Sequence, residues 1–118
     1  MTVIAAAAAA VATPAATDVL INEDLRCLAV FASLADGKDK ENDAGMTGAI
    51  MYYIGRIDAR VPDYQFGPAL KTLFAEPTWN DAAFAADAQR CGAEMGKRGD
   101  ELSAIGDAMS AEAGKPAN

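Results

Sequence analysis

The chain has 118 residues, about half of them apolar, a formal charge of −7 and no histidine. That length makes one domain, and the scattered, outnumbered basic residues argue against binding to nucleic acid or to an anionic membrane surface. Without histidine there is no Ser-His-Asp or Cys-His catalysis, no His-containing zinc site and no c-type haem attachment.

Residues 3–12 read VIAAAAAAVA, an uncharged run of ten. A bilayer span needs about 20 residues, but the apolar core of a signal peptide is this short. Ala10-Val11-Ala12 places small residues where a signal peptidase inspects them, which puts cleavage before Thr13, with a second cut near Ala16. Met1-Thr2 lacks the usual Lys or Arg, so an ordinary Ala-rich helix is the competing reading. Residues 1–12 are thus signal-peptide-like, and where retained they should project as a loosely packed helix. Residues 13–21 follow as an extended N-terminal segment, and no stable membrane insertion is expected after cleavage.

The helical domain is expected over 22–112. Asn22 suits an N-cap, with Glu23 and Asp24 at the positive end of the dipole. Leu25, Leu28, Phe31, Ala32 and Ala35 recur at helical spacing, with Cys27, Phe31 and Leu34 on the same side, and Gly37 ends this first helix, 22–36. Residues 37–43 (GKDKEND) suggest a calcium loop through Asp39, Glu41 and Asp43. The pattern fails, because Ala44 stands where the loop needs Gly and Ile50 where it needs Glu. A solvated loop remains.

The second helix is expected over 43–61, stopped by Pro62, with Met46, Ile50, Tyr53, Ile54, Ile57 and Val61 on one side. Pro68 fits the first position of a short third helix that carries Leu70, Leu73 and Phe74 and ends before Pro77. Thr78-x-x-Asp81 resembles a capping box, so a last helix should begin near Trp79. Phe84, Ala88, Cys91, Met95, Leu102, Ile105 and Met109 then follow in steps of three and four, with Arg98 the one interruption, giving a long helix to about Ala111. Two helices split at Gly96–Gly99 are the alternative. Residues 113–118 read as a disordered tail.

A stripe of small residues (Gly92, Gly96, Gly99, Ser103, Gly106, Ser110) runs beside the apolar one, and Gly45, Gly48, Gly55 and Ala59 make a similar stripe on the second helix. Interior glycines cost up to about 1 kcal/mol each against alanine. One expectation is that these two helices pack unusually close, or that a stripe receives a partner. Compositional drift is the other.

Two cysteines in a small exported domain read as a disulfide, Cys27 to Cys91, since each lies on an apolar helix face. Two buried free thiols are the alternative. Lying 64 positions apart, they form no CxxC motif, and GxGxxG, GxxxxGK[ST] and GxSxG are absent. No catalytic residue, metal ligand or cofactor is expected, and the chain is read as not an enzyme. The one compact polar group on an apolar helix is Tyr52, Tyr53, Arg56, Asp58 and Arg60. Within it Tyr52, Arg56 and Arg60 lie one turn apart and form a candidate small-anion or partner site. The competing reading pairs the arginines with Asp63 or Glu76 at the surface.

The fold class is therefore all-α: a small disulfide-linked bundle of about four helices with a long C-terminal helix. Arg26-Cys27, the apolar helix, Tyr53-Ile54-Gly55-Arg56 and Cys91 together resemble small exported bacterial two-cysteine helical proteins and, more loosely, periplasmic acid-stress chaperones of the HdeA type. The resemblance covers about Asn22 to Met109. It implies a signal peptide, a periplasmic or secreted location and the Cys27–Cys91 pair, and no other functional residue carries over. Here the second cysteine sits inside a helix with no proline soon after it, and the terminal helix is longer. The expected function is a helical interaction protein with a protein partner or client, a second copy among the forms it could take. An acid-activated holdase is the alternative, and a small-anion-binding protein or enzyme using Tyr52 and Arg56 the remote one.

Overall fold

The computed structural model describes residues 6–114, with side-chain surroundings from Thr17 onward. Among these residues the fold is all-α, with four helices: α1 (Ala6–Leu34), α2 (Lys40–Arg60), α3 (Phe66–Phe74) and α4 (Asp81–Ala113). α1 and α2 form an antiparallel hairpin, for Phe31 stacks on Tyr53 at one level while Asp24 meets Arg60 at another. α4 is bolted to α1 through the disulfide between Cys27 and Cys91, whose Cα atoms lie 5.5 Å apart.

α1 begins far earlier than its expected cap. Residues 13–21 are helical, not extended, and Asn22 lies inside the helix. Ile21 explains the difference: it stands one turn before Leu25 and joins Leu25 and Ile57 in a buried cluster. Burying an isoleucine is worth roughly 1.5–3 kcal/mol, more than the ~1 kcal/mol of an Asn cap. Residues 6–12 continue the helix, while the first five residues of the signal-like segment and the tail residues 115–118 lie outside the described residues.

The α1–α2 loop is shorter than the charged run suggests, because its acids serve as caps. Asp39 caps α2, its carboxylate accepting from the amides of Glu41 and Asn42. Asp43 accepts from the Asp36 amide, and the Asn42 side chain donates to the Leu34 carbonyl. Gly37 turns the chain at φ +74°, which a side chain would resist. α3 starts two residues before Pro68, which lies within the first turn where amides have no helical partner anyway.

α4 is one continuous helix of 33 residues through Gly96 and Gly99. Its cap is Asn80, which accepts from the Ala83 amide, and not Thr78, whose hydroxyl turns back to Glu76. The core lies in two linked clusters, one around Cys27, Leu28, Phe31, Ala49, Tyr53 and Cys91, the other around Ile21, Leu25 and Ile57. On α4 only Asp87 and Cys91 are buried, Cys91 completely. From residue 99 to 114 every residue is exposed, so the second half of the helix stands clear of the bundle.

The close α2–α4 packing along the small-residue stripes is not found. A methyl group added at Gly45, Gly48, Gly55, Gly92, Gly96, Gly99 or Gly106 would meet nothing within 4 Å. α1 lies against both helices instead, and of the apolar face of α4 Cys91 and Met95 join the core while Phe84 packs on Trp79.

Candidate functional site

Tyr52, Tyr53, Arg56 and Arg60 follow one another along the face of α2 that meets α1 and α4. Arg56 donates from Nη1 to the Tyr52 hydroxyl at 2.8 Å and to Glu94 at 2.5 Å, and from Nη2 to Asp24 at 3.2 Å. Its guanidinium carbon also lies 5.3 Å from the centre of the Tyr52 ring. Arg60 donates to the other Asp24 oxygen at 2.8 Å. Tyr53, fully buried, donates to Glu94 at 2.8 Å. Arg56 therefore joins a carboxylate of α1 to a carboxylate of α4 from its place on α2.

The predicted trio is brought together, but the arginines pair neither with Asp63 nor with Glu76. Their partners are Asp24 and Glu94. Asp24, read in the sequence as a dipole-favoured acid at a helix start, has a side chain only 4% exposed. A Coulombic partner on a facing helix cannot be read from the spacing along one helix. Anions already occupy the guanidinium: they are the chain's own carboxylates.

The electrostatics follow this geometry. Burial would raise the Glu94 carboxyl, but hydrogen bonds from Tyr53 and Arg56 and the Arg56 charge outweigh it and hold the group below the usual carboxylate range. Burial, then the bond to Glu94, pushes the Tyr53 phenol well above its ordinary range. For Arg56, desolvation lowers the affinity for its proton, while the bonds to Tyr52 and Glu94 and the charges of Asp24 and Glu94 raise it further. The net effect is a guanidinium more firmly charged than a free one. None of these groups is poised to exchange protons near neutrality, as a general acid or base would be.

A second ion-pair cluster, absent from the sequence reading, lies around Asp87. Its carboxylate accepts from the Trp79 indole at 2.8 Å, from Arg26 at 3.0 Å and from Arg90 at 3.1 Å. Arg90 also donates to the Glu23 carbonyl, tying α4 to α1 again. Burial would raise Asp87, but these donors and charges hold it below the ordinary value. The one available signal was the i,i+3 spacing of Asp87 and Arg90; nothing local marks Arg26 or Trp79. Beside this cluster a shallow groove of about 360 Å³ runs between α1 and α3 past Leu25, Arg26, Tyr64 and Leu73.

The free half of α4 is the other distinctive surface. Leu102, Ile105 and Met109 continue the apolar series of Cys91 and Met95 but are 69%, 55% and 66% exposed. Isolated exposed apolar residues need no explanation, whereas three consecutive members of one helical seam form a patch. Among the described residues no cluster of His, Cys, Asp and Glu is arranged to hold a metal ion, and no helix is long and apolar enough to cross a membrane. No family model matches the chain, and no curated protein or solved structure is significantly similar to it.

Proposed function

We propose that this is a periplasmic or secreted helical interaction protein that offers the free half of α4 to a protein partner. The observation that carries the reading is the exposed seam of Leu102, Ile105 and Met109 on a helix whose first half is fixed by a disulfide and two ion-pair clusters. An anchored base with a bare amphipathic extension is the arrangement by which a helix enters a groove or pairs with another helix. The disulfide suits an oxidising compartment, and the alanine-rich start suits a signal peptide. Catalysis has no part in this reading.

The test is a photo-crosslinking residue placed at Ile105 in the full chain produced in a bacterial host, with Lys71 as the control position. Adducts from position 105 that are absent at 71 support the reading, and equal absence at both removes it. The mass of the protein recovered from the periplasm, with and without reductant, reports cleavage and disulfide state in the same preparation.

A second reading is an acid-activated holdase, favoured by the position of Glu94 and Asp87 as carboxylates on which the α1–α2–α4 contacts depend. With no histidine present, such a switch works only in the carboxylate range, at about pH 4 and below. Suppression of a client's aggregation at about pH 2–3 but not at neutral pH supports it; no protection in acid ends it.

A further inference from the structure

We infer that the partner of the free half of α4 is the same segment of a second copy, paired antiparallel. This rests on the interaction reading above and commits it to one occupant. The seam beyond Met95 is Arg98, Leu102, Ile105 and Met109, in steps of four, three and four. A repeat averaging 3.5 residues belongs to a helix that wraps around another helix of like pattern, knobs into holes. Within the monomer this repeat is used only as far as Met95. Beyond that point, the same geometry continues with no occupant from the described residues.

Charge selects the orientation. In a parallel pair the two charged seam positions, Arg98 and Glu112, would each face their own copy. Like charges set opposite one another oppose pairing. Reversing one helix removes both conflicts. Leu102 then lies opposite the second copy's Ile105, Arg98 opposite its Met109, and Arg98 comes within a turn of the second copy's Glu112. Within its own helix Arg98 is bonded to the exposed Glu101 through Nη1.

Small residues then acquire a use. Gly99 and Gly106 flank the seam one heptad apart, and in the antiparallel register each faces the other across the pair. A methyl group at either would touch nothing in the monomer, so the free space lies on the side that a second helix would fill. Backbones without side chains between them can approach closely. The free half is about 24 Å long at 1.5 Å per residue. Two such helices bury on the order of 1,000 Å², at or below the lower end of specific interfaces. The expected dimer is accordingly a weak one, with a dissociation constant in roughly the micromolar range.

The experiment uses the purified, oxidised full chain in sedimentation equilibrium from low micromolar to near-millimolar concentration. A reversible rise towards twice the 12.2 kDa monomer mass is expected. Ile105→Asp should weaken it by at least about thirtyfold while leaving helical content and thermal midpoint unchanged, because the residue is exposed in the monomer. Orientation is read by mixing R98C with M109C under mild oxidation. Mixed dimers linked through 98 and 109 are expected, and neither variant alone should cross-link efficiently. A monomer at every concentration overturns the proposal, as does 98-to-98 linkage, the mark of a parallel pair. In-cell adducts at Ile105 to a different protein, with a monomer in sedimentation, sink self-pairing but keep the interaction reading. Absence of any adduct together with a monomer sinks both.

Discussion

Asp24 holds two guanidiniums with one carboxylate, Arg56 through Oδ1 and Arg60 through Oδ2, while its side chain is almost wholly withdrawn from water. Removing one member of a buried ion pair leaves the others with uncompensated charge. Asp24→Asn keeps the shape and removes the charge, and should cost about 2–3 kcal/mol, less than the roughly 3–5 kcal/mol of a fully buried pair because both guanidiniums keep about 30% exposure. Chemical denaturation at neutral pH checks this; an unchanged midpoint would show the contact to be decorative. The identity of this partner was hidden in the sequence for a simple reason. An acid two residues after an asparagine and before an apolar helical run satisfies the rules for a helix start, and only the burial of Ile21 one turn earlier moves that start away. Arg56 and Tyr52 were legible as neighbours, being one turn apart on α2, but Glu94 lies 38 positions from Arg56, and no local rule joins them.

At the level of elements, what a helix needs at its ends decided the details. The N-cap of α4 is Asn80, accepting from the Ala83 amide at 3.0 Å, and the nearby Thr78 bonds to Glu76. Asn80→Ala should therefore lower stability by about 1 kcal/mol, whereas Thr78→Ala should change it little; the reverse order in thermal unfolding would restore the Thr78 capping box. Glycine in α2 gives a second prediction. At Gly55 an added methyl group meets nothing within 4 Å and the position is exposed, so Gly55→Ala should raise stability by about 0.5–1 kcal/mol through helix propensity. Loss of stability would instead mean that another backbone approaches this face. The four helices, the cysteine faces and the seam of α4 were all legible, because a 3.6-residue period is written directly in the apolar positions. Which part of a seam is covered was not: Phe84, Met95 and Ile105 look alike in the sequence, yet the first packs on Trp79, the second on the core, and Ile105 stays 55% exposed. The glycine stripes misled because the cost of glycine in a helix is plain in a sequence while the neighbour that offsets it is not.

At the scale of the whole molecule, two carboxylates tie α4 to the other helices, Glu94 through Arg56 and Asp87 through Arg26. Glu94 and Asp87 are both held below their ordinary values in the folded state. The unfolded chain therefore takes up protons at a higher pH than the folded one, so this stabilisation is complete above the ordinary Glu value of 4.5 and is lost as pH falls through and below it. Thermal midpoints should be flat from neutrality to about pH 5 and fall steeply below about pH 4, and Glu94→Gln should lower the plateau while making the acid limb shallower. A limb of unchanged slope in that variant would transfer the effect to other acids. The disulfide resists the same loss. Closing a loop with a sequence separation of 64 is worth roughly 4 kcal/mol in the chain-entropy model. Reduction, or Cys91→Ser, should lower the unfolding free energy by about that amount at neutral pH.

The bond between Cys27 and Cys91 joins two helices partway along their length and encloses the whole of α2 and α3 between its ends. Once the ion pairs have been protonated and the packing has melted, what is left in solution is a closed ring, residues 27–91, with a tail leaving each side of one knot. A ring cannot wander as far as a linear chain. On return to neutral pH, the encounter of most distant partners, α1 with α4, has already been made, and the remaining contacts are short excursions within the ring. Oxidised protein should regain its native near-ultraviolet signal quickly and at any dilution, whereas reduced protein must find the crossing again by search.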